Sequence, residues 1–258
     1  MKEKTKILIT GSSGRLGKPL TTLFMSDKKY NVIALSHKEM PVEDRNKVFA
    51  IVEKNKPEIV IHLAALTSPP RCEKNKVESW RITVEGTINL VDACEIFSPQ
   101  CYFVLMSTPC VFSGEDENPK DENYIYNPDN YYGFCKAIQE MVVRRSKLKW
   151  LIIRGNFVPY EKWPYPKAFV DRKSNYLFAH QLAKGIKEVI EANQTGIIHI
   201  IGNRVLSMYE LAKLCPESEN VQPMTLEEYY NENPDSPKLT KNMVLKSTRW
   251  KEYDITEL

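Results

Sequence analysis

"KILITGSSGRLG", residues 6–17, places Gly11, Gly14 and Gly17 directly after an apolar run of strand length. Glycines at this spacing let a chain turn tightly out of a strand and bring its backbone close to a pyrophosphate, whose charge is met by the N-terminus of the next helix. The stretch therefore reads as a strand over 6–10, a phosphate loop made by Gly11, Ser13, Gly14, Arg15, Leu16 and Gly17, and a helix starting near Arg15. Three glycines would also serve a plain strand-to-helix turn. Their position between an opening strand and a helix is what points to a dinucleotide.

Apolar runs of similar length recur at 31–35, 58–65, 101–107, 150–155 and 196–202. Between them, apolar residues fall at helical spacing, as in Val84-Thr87-Ile88-Val91 and Ile138-Met141-Val142. This alternation predicts an α/β fold, a doubly wound, Rossmann-like parallel sheet with helices on both faces. After Gly155 prolines and aromatics crowd "FVPYEKWPYPKAF", and residues 216–242 are polar and rich in Pro and Asn, with few strand signals. The expected organisation is a cofactor-binding region over 1–155 and a smaller substrate-binding lobe mainly over 156–258, with some chain returning to the sheet.

Of 258 residues 42% are hydrophobic and 27% charged, and the net charge of +3 is spread along the chain, so no basic stripe suggests nucleic acid. No apolar run approaches the roughly 20 residues of a membrane span, and "MKEKTK" carries no targeting signal, so a cytoplasmic protein without a membrane partner is expected. The six cysteines lack metal-ligand spacing and read as reduced thiols; no metal is expected. His62 and His199 lie inside apolar runs and read as interior residues.

Two segments carry candidate chemistry. In "YYGFCK", Tyr132 precedes Lys136 by one helical turn, a spacing at which an ammonium can lower a phenol's pKa and make it a usable acid. A second Y-x-x-x-K pair, Tyr209 and Lys213, lies in what reads as an ordinary amphipathic helix. Only Tyr132 has an upstream partner, Thr108, at the end of the 101–107 strand, where open α/β sheets place their sites. The 31–35 strand is followed by Ser36, His37 and Lys38, without the acid that usually binds an NAD ribose. NADPH is therefore favoured, with NADH the alternative, and Arg15, His37 and Lys38 are its phosphate partners.

With "TGSSGRLG", "STPCVF", "YGFCK", "PEIVIHLAALT", "RITVEGTINLVDAC" and "GIIHIIGNRVLSMYELAKL", the chain resembles the extended short-chain dehydrogenase/reductases, and within them the dTDP-4-dehydrorhamnose reductase group. The resemblance implies reduction of a nucleotide-linked 4-keto-6-deoxysugar in deoxysugar and polysaccharide biosynthesis. Tyr132 would donate the proton, Lys136 would lower the tyrosine pKa and bind the nicotinamide ribose, and Thr108 would bond the carbonyl oxygen. Ala64 and Ala65 would run along the cofactor. Substrate contacts are expected from Arg154 and Lys238 to a diphosphate and from Trp163 or Tyr165 to a base or sugar. The partner is then a nucleotide-sugar substrate, with a homodimer left open.

Three departures stand out: Thr83 where many members carry asparagine, Pro41 where an aspartate often meets adenine, and Pro109-Cys110 after the threonine. Cysteine at the position of Cys110 occurs in relatives that epimerise carbons beside the keto group. A bifunctional 3,5-epimerase/4-reductase is therefore one alternative. A non-catalytic, NADP-binding regulatory subunit of another enzyme is a second.

Overall fold

A computed structural model describes residues 3–257. The chain runs through β1 (Thr5–Thr10), α1 (Gly17–Met25), β2 (Tyr30–Leu35), α2 (Arg45–Asn55), β3 (Ile59–His62), α3 (Pro69–Lys74), α4 (Lys76–Trp80), a π-helical turn (Arg81–Glu85), α5 (Gly86–Phe97) and β4 (Tyr102–Ser107). A 3₁₀ turn (Pro109–Val111), α6 (Tyr131–Arg145), β5 (Lys149–Arg154), β6 (Asn156–Val158), β7 (Lys167–Phe169), β8 (Lys173–Ser174), β9 (Tyr176–Phe178) and α7 (Ala179–Glu191) follow. The chain closes with β10 (Gly196–His199), β11 (Leu206–Ser207), α8 (Met208–Leu214), β12 (Gln222–Met224) and α9 (Leu226–Glu232).

Six parallel strands form the main sheet in the order β10-β5-β4-β3-β1-β2. Side chains alternate across a strand, and both sets are buried here. Ile7 and Ile9 join Leu20 and Phe24 of α1 and Leu182 and Ile186 of α7 on one face. Leu8 joins Val48 and Val52 of α2 and Leu90 and Val91 of α5 on the other. Burial on both faces is why the central strands read as continuous apolar runs rather than alternating ones; the edge strand β2 is only partly buried. The expected doubly wound sheet is the observed one.

The chain goes from β1 to β2 on one side and then crosses to β3 on the other, so a crevice opens beyond the strand ends at β1 and β3. Two runs are shorter than expected. β3 stops at His62, which pairs Thr10 just before the glycine loop, and β10 stops at His199, which pairs the last residue of β5, Arg154. Beyond His62 the chain leaves the sheet towards the glycine loop, while Ile200, just past β10, still bonds the Arg154 carbonyl at 3.0 Å.

The smaller lobe holds three two-stranded sheets, β6-β9, β7-β12 and β8-β11, over a core that includes Trp163, Tyr176, Leu211 and Met243. The stretch 216–242 is more regular than its composition suggested: it forms β12 and α9, the latter closed by a capping box between Thr225 and Glu228.

Candidate active site

Gly11 leaves β1 at φ 67°, in the left-handed region that glycine tolerates, and a Cβ there would stand 3.0 Å from the backbone nitrogen of Ala64. The glycine thus seats the phosphate loop against the segment after β3, which carries Ala64 and Ala65. The tight turn from Gly11 to Gly14, closed by a 3.0 Å backbone bond, delays α1 until Gly17, two residues later than expected. No side chain caps α1 and no acid lies in its first turn, so its positive end is free for an anion. Together these residues make a cradle that fits a dinucleotide pyrophosphate.

At the end of β2 the arrangement differs from expectation. Ser36 donates from its N–H (2.8 Å) and its hydroxyl (2.6 Å) to the carboxylate of Glu39, which holds that carboxyl below its ordinary pKa. His37 contacts Glu43 at 2.8 Å. An acid therefore stands in this corner three residues after Ser36, and the Ser-x-x-Glu spacing is its sequence signal. Arg15 and Lys38 are exposed. A hollow of about 860 Å³ beside His37 is also lined by Lys74 and Arg81, cations that composition alone did not single out.

Thr108 follows β4, and its hydroxyl accepts the N–H of Cys110 at 3.2 Å, capping the 3₁₀ turn. The first turn of α6 is set on that turn: Asn130 caps the helix by accepting from Gly133, whose missing side chain would collide with the Cys110 carbonyl. Tyr132, half-buried, packs against a cluster that includes Cys110, Trp163 and Tyr176. Tyr132, Thr108 and Cys110 thus come together as the sequence implied.

Lys136 does not do what helical spacing implied. Its buried Nζ donates to the Met106 carbonyl at 2.7 Å and to the Gln139 side chain, and burial lowers its pKa to about 8. The phenol of Tyr132 is pushed up by burial and by Cys110, with a hydrogen bond from the Thr108 hydroxyl opposing. In the decoy pair the ammonium of Lys213 does lie over its tyrosine, 5.3 Å from the Tyr209 ring, on α8. Spacing brings a cation near a phenol, but hydrogen-bond acceptors decide where it points.

The substrate candidates need correction. Arg154 is 1% exposed and forms a two-pronged ion pair with Glu140 at 2.7 and 3.0 Å, so it holds the interior and cannot meet a diphosphate. Burial would raise the Glu140 pKa, but Arg154, Ser107 and Tyr126 hold it down. Trp163 is buried in the lobe core, and Tyr165 is the exposed aromatic beside it. Lys238 reaches solvent but is paired with Glu115 at 2.8 Å and Asp129 at 3.3 Å.

The cation that does face this region is Arg172, between β7 and β8. It bonds the Thr240 carbonyl at 3.0 Å and approaches the sulfurs of Met208 and Met243, with no carboxylate partner among the described residues. Met243 also receives Asn156 at 3.4 Å and Cys110 at 3.7 Å. The hydroxyl of Tyr176 is buried there without a partner among the described residues. None of these residues stands in a recognisable spacing, because loops far apart in sequence bring them together.

His62 and His199 are interior residues, buried and hydrogen-bonded, and the six cysteines are free and buried. Among the described residues, no three His, Cys, Asp or Glu side chains are grouped as metal ligands would be. No helix among them is long and apolar enough to cross a membrane.

Comparison with known proteins now decides the family. The RmlD substrate-binding-domain model matches residues 5–175, two thirds of the chain. The chain belongs to the RmlD family. RmlD-like members are NAD(P)-dependent nucleotide-sugar reductases of the extended short-chain dehydrogenase/reductase group. This RmlD-family chain is 28% identical to the spore coat polysaccharide biosynthesis protein SpsK of Bacillus subtilis (strain 168), over 89% of this chain and 86% of that protein. It is 31% identical to a dTDP-4-dehydrorhamnose reductase of Aggregatibacter actinomycetemcomitans, over 59% of this chain and 51% of that protein. Its fold matches a Bacillus anthracis dTDP-4-dehydrorhamnose reductase solved in complex with NADP, with a TM-score of 0.85 and 23% identity, covering 95% and 92% of the two chains.

Proposed function

We propose that this protein reduces the keto group of a nucleotide-linked 4-keto-6-deoxysugar, using NADPH. The observation that carries the reading is the seating of Tyr132 beside Thr108 and Cys110, at the sheet end that also presents the glycine loop. The cofactor, when bound, supplies the hydride to the carbonyl carbon. Gly11, Gly14 and Gly17 would hold its pyrophosphate, and Arg15, Lys38 and Arg81 supply positive charge for a 2′-phosphate. Tyr132, kept neutral by burial, donates its proton to the carbonyl oxygen as that oxygen gains charge, and Thr108 donates a hydrogen bond to the same oxygen. Arg172 is the substrate's diphosphate partner, in place of Arg154 and Lys238.

A second reading adds epimerisation of the carbons flanking the keto group, and the Cys110 thiol packed in the Tyr132 cluster supports it. One assay tests both: NADPH oxidation with dTDP-4-keto-6-deoxyglucose in deuterated buffer, run beside Tyr132→Phe. Oxidation that falls about 10²-fold or more in the variant supports the reductase. Equal rates in the two proteins would sink it. Deuterium at C3 or C5 of the product assigns epimerisation, and its absence leaves reduction alone.

A further inference from the structure

We propose that Gln139 is a positioning residue for Lys136, held by a buried hydrogen-bond chain that runs through Thr87 and His62 to Thr10 at the mouth of the phosphate loop. The consequence for turnover rests on the reductase reading above; the order of the chain does not.

The donors and acceptors allow one assignment. Thr87 donates its hydroxyl proton to the Thr83 carbonyl at 2.6 Å. Its oxygen can then only accept from its other two partners, the Gln139 amide nitrogen at 2.7 Å and His62 Nε2 at 3.0 Å. Gln139 is thereby locked with its nitrogen on Thr87 and its oxygen on Lys136. His62 must carry its proton on Nε2, leaving Nδ1 to accept from Thr10 at 2.8 Å. The Thr10 oxygen accepts in turn from the N–H groups of Leu63 and Ala64, both at 3.2 Å, where β3 opens to the cofactor. Each hydroxyl gives one proton, and the imidazole stays neutral, as burial and the nearby Lys136 charge require.

For Lys136, two of three ammonium protons are committed, to Met106 and Gln139, and one remains for the site. The charged and titratable groups it feels are Glu140 and Cys135 from its own helix and His62 from β3; α5 presents Thr87, and β4 the Met106 carbonyl. Thr83, on the π-helical turn, accepts the Leu66 N–H at 3.3 Å, and its carbonyl anchors Thr87.

The experiment is NMR on the full chain, with steady-state kinetics on the same samples. In the wild type, ¹⁵N spectra should show His62 as the neutral Nε2–H tautomer, and the Lys136 Cε signal should titrate near 8. Gln139→Glu should raise that midpoint by about one unit or more, because a carboxylate replaces a neutral acceptor, and Gln139→Leu should lower it. Gln139→Leu should also cut kcat about 10-fold or more with KM for the keto sugar little changed, and Thr87→Ser should keep what Thr87→Val loses. A proton on Nδ1 of His62, which needs no variant to observe, overturns the chain, and so does a Lys136 midpoint indifferent to both Gln139 variants. Intact NMR shifts with no turnover on any keto sugar would uphold the chain and overturn the reductase reading instead.

Discussion

A side chain on Gly133 would stand 2.1 Å from the carbonyl oxygen of Cys110. The helix that carries Tyr132 and Lys136 therefore rests directly on the turn that carries Thr108, with no room for a methyl group. Gly133→Ala should push the first turn of α6 away and cost about 1–3 kcal/mol of stability. Turnover should fall about 10²-fold, since a displacement near 1 Å is enough for that. Cofactor affinity, measured by NADPH fluorescence, should stay within a few-fold; an active Gly133→Ala enzyme would show the seating to be irrelevant.

Two arginines should separate cleanly. Arg154→Met leaves Glu140 charged and buried without its partner, so a loss of about 3–5 kcal/mol is expected in urea unfolding. Arg172→Met should leave unfolding nearly unchanged but raise KM for the nucleotide sugar about 10-fold or more, as expected when a charged contact to phosphate is removed. The reverse pattern would return the diphosphate to Arg154.

The Glu39 carboxylate on Ser36 stands after β2, in the corner where the 2′-phosphate of the proposed NADPH would sit. Glu39→Gln should tighten NADPH by a few-fold to about tenfold, the scale of an exposed charge pair, and leave NADH unchanged or weaker. Dissociation constants for both cofactors check this, and a larger gain for NADH would mean that the wild type is built for the phosphate-free cofactor.

Buried neutral histidines make the fold sensitive to acid. Burial depresses His62 to about 3 and His199 to about 4, from 6.5 in the unfolded chain. Between those values the unfolded state binds more protons, so stability is complete above about 6.5 and is lost as pH falls towards 3–4. His62 alone contributes a loss on the order of 5 kcal/mol across its window. Urea midpoints that begin to fall between pH 6.5 and 5, before carboxylates titrate, are expected; a flat line there would show that the histidines are charged in the fold.

The sheet was legible because it is buried on both faces: every main strand left an apolar run, and the glycine loop announced the first turn. Tyr132, Thr108 and Cys110 were legible because they flank two neighbouring elements. Arg154 misled because a residue at a strand's end can face the crevice or the interior, and only its partner Glu140, 14 positions earlier, settles which. Arg172 and Met243 were invisible because their neighbourhood is built from contacts across loops. Ser36-Glu39, which closes a turn, and Thr225-Glu228, which caps α9, share a Ser/Thr-x-x-Glu spacing that is visible in the sequence.

Met243 reaches Cys110 across 133 positions of sequence. The segment that carries it is tied by single bridges, Asn242 to Lys173 and Leu245 to Lys120, while Tyr253 pairs Gly202. Contacts this distant are slow to close, because loop entropy is spent before they form. During synthesis the sheet, the glycine loop and Tyr132 can be assembled long before the chain's last stretch leaves the ribosome. The nascent protein should therefore gain the capacity to hold a dinucleotide well before it gains a walled chamber for sugar, and a chain stopped near residue 235 should be a cofactor binder without a substrate.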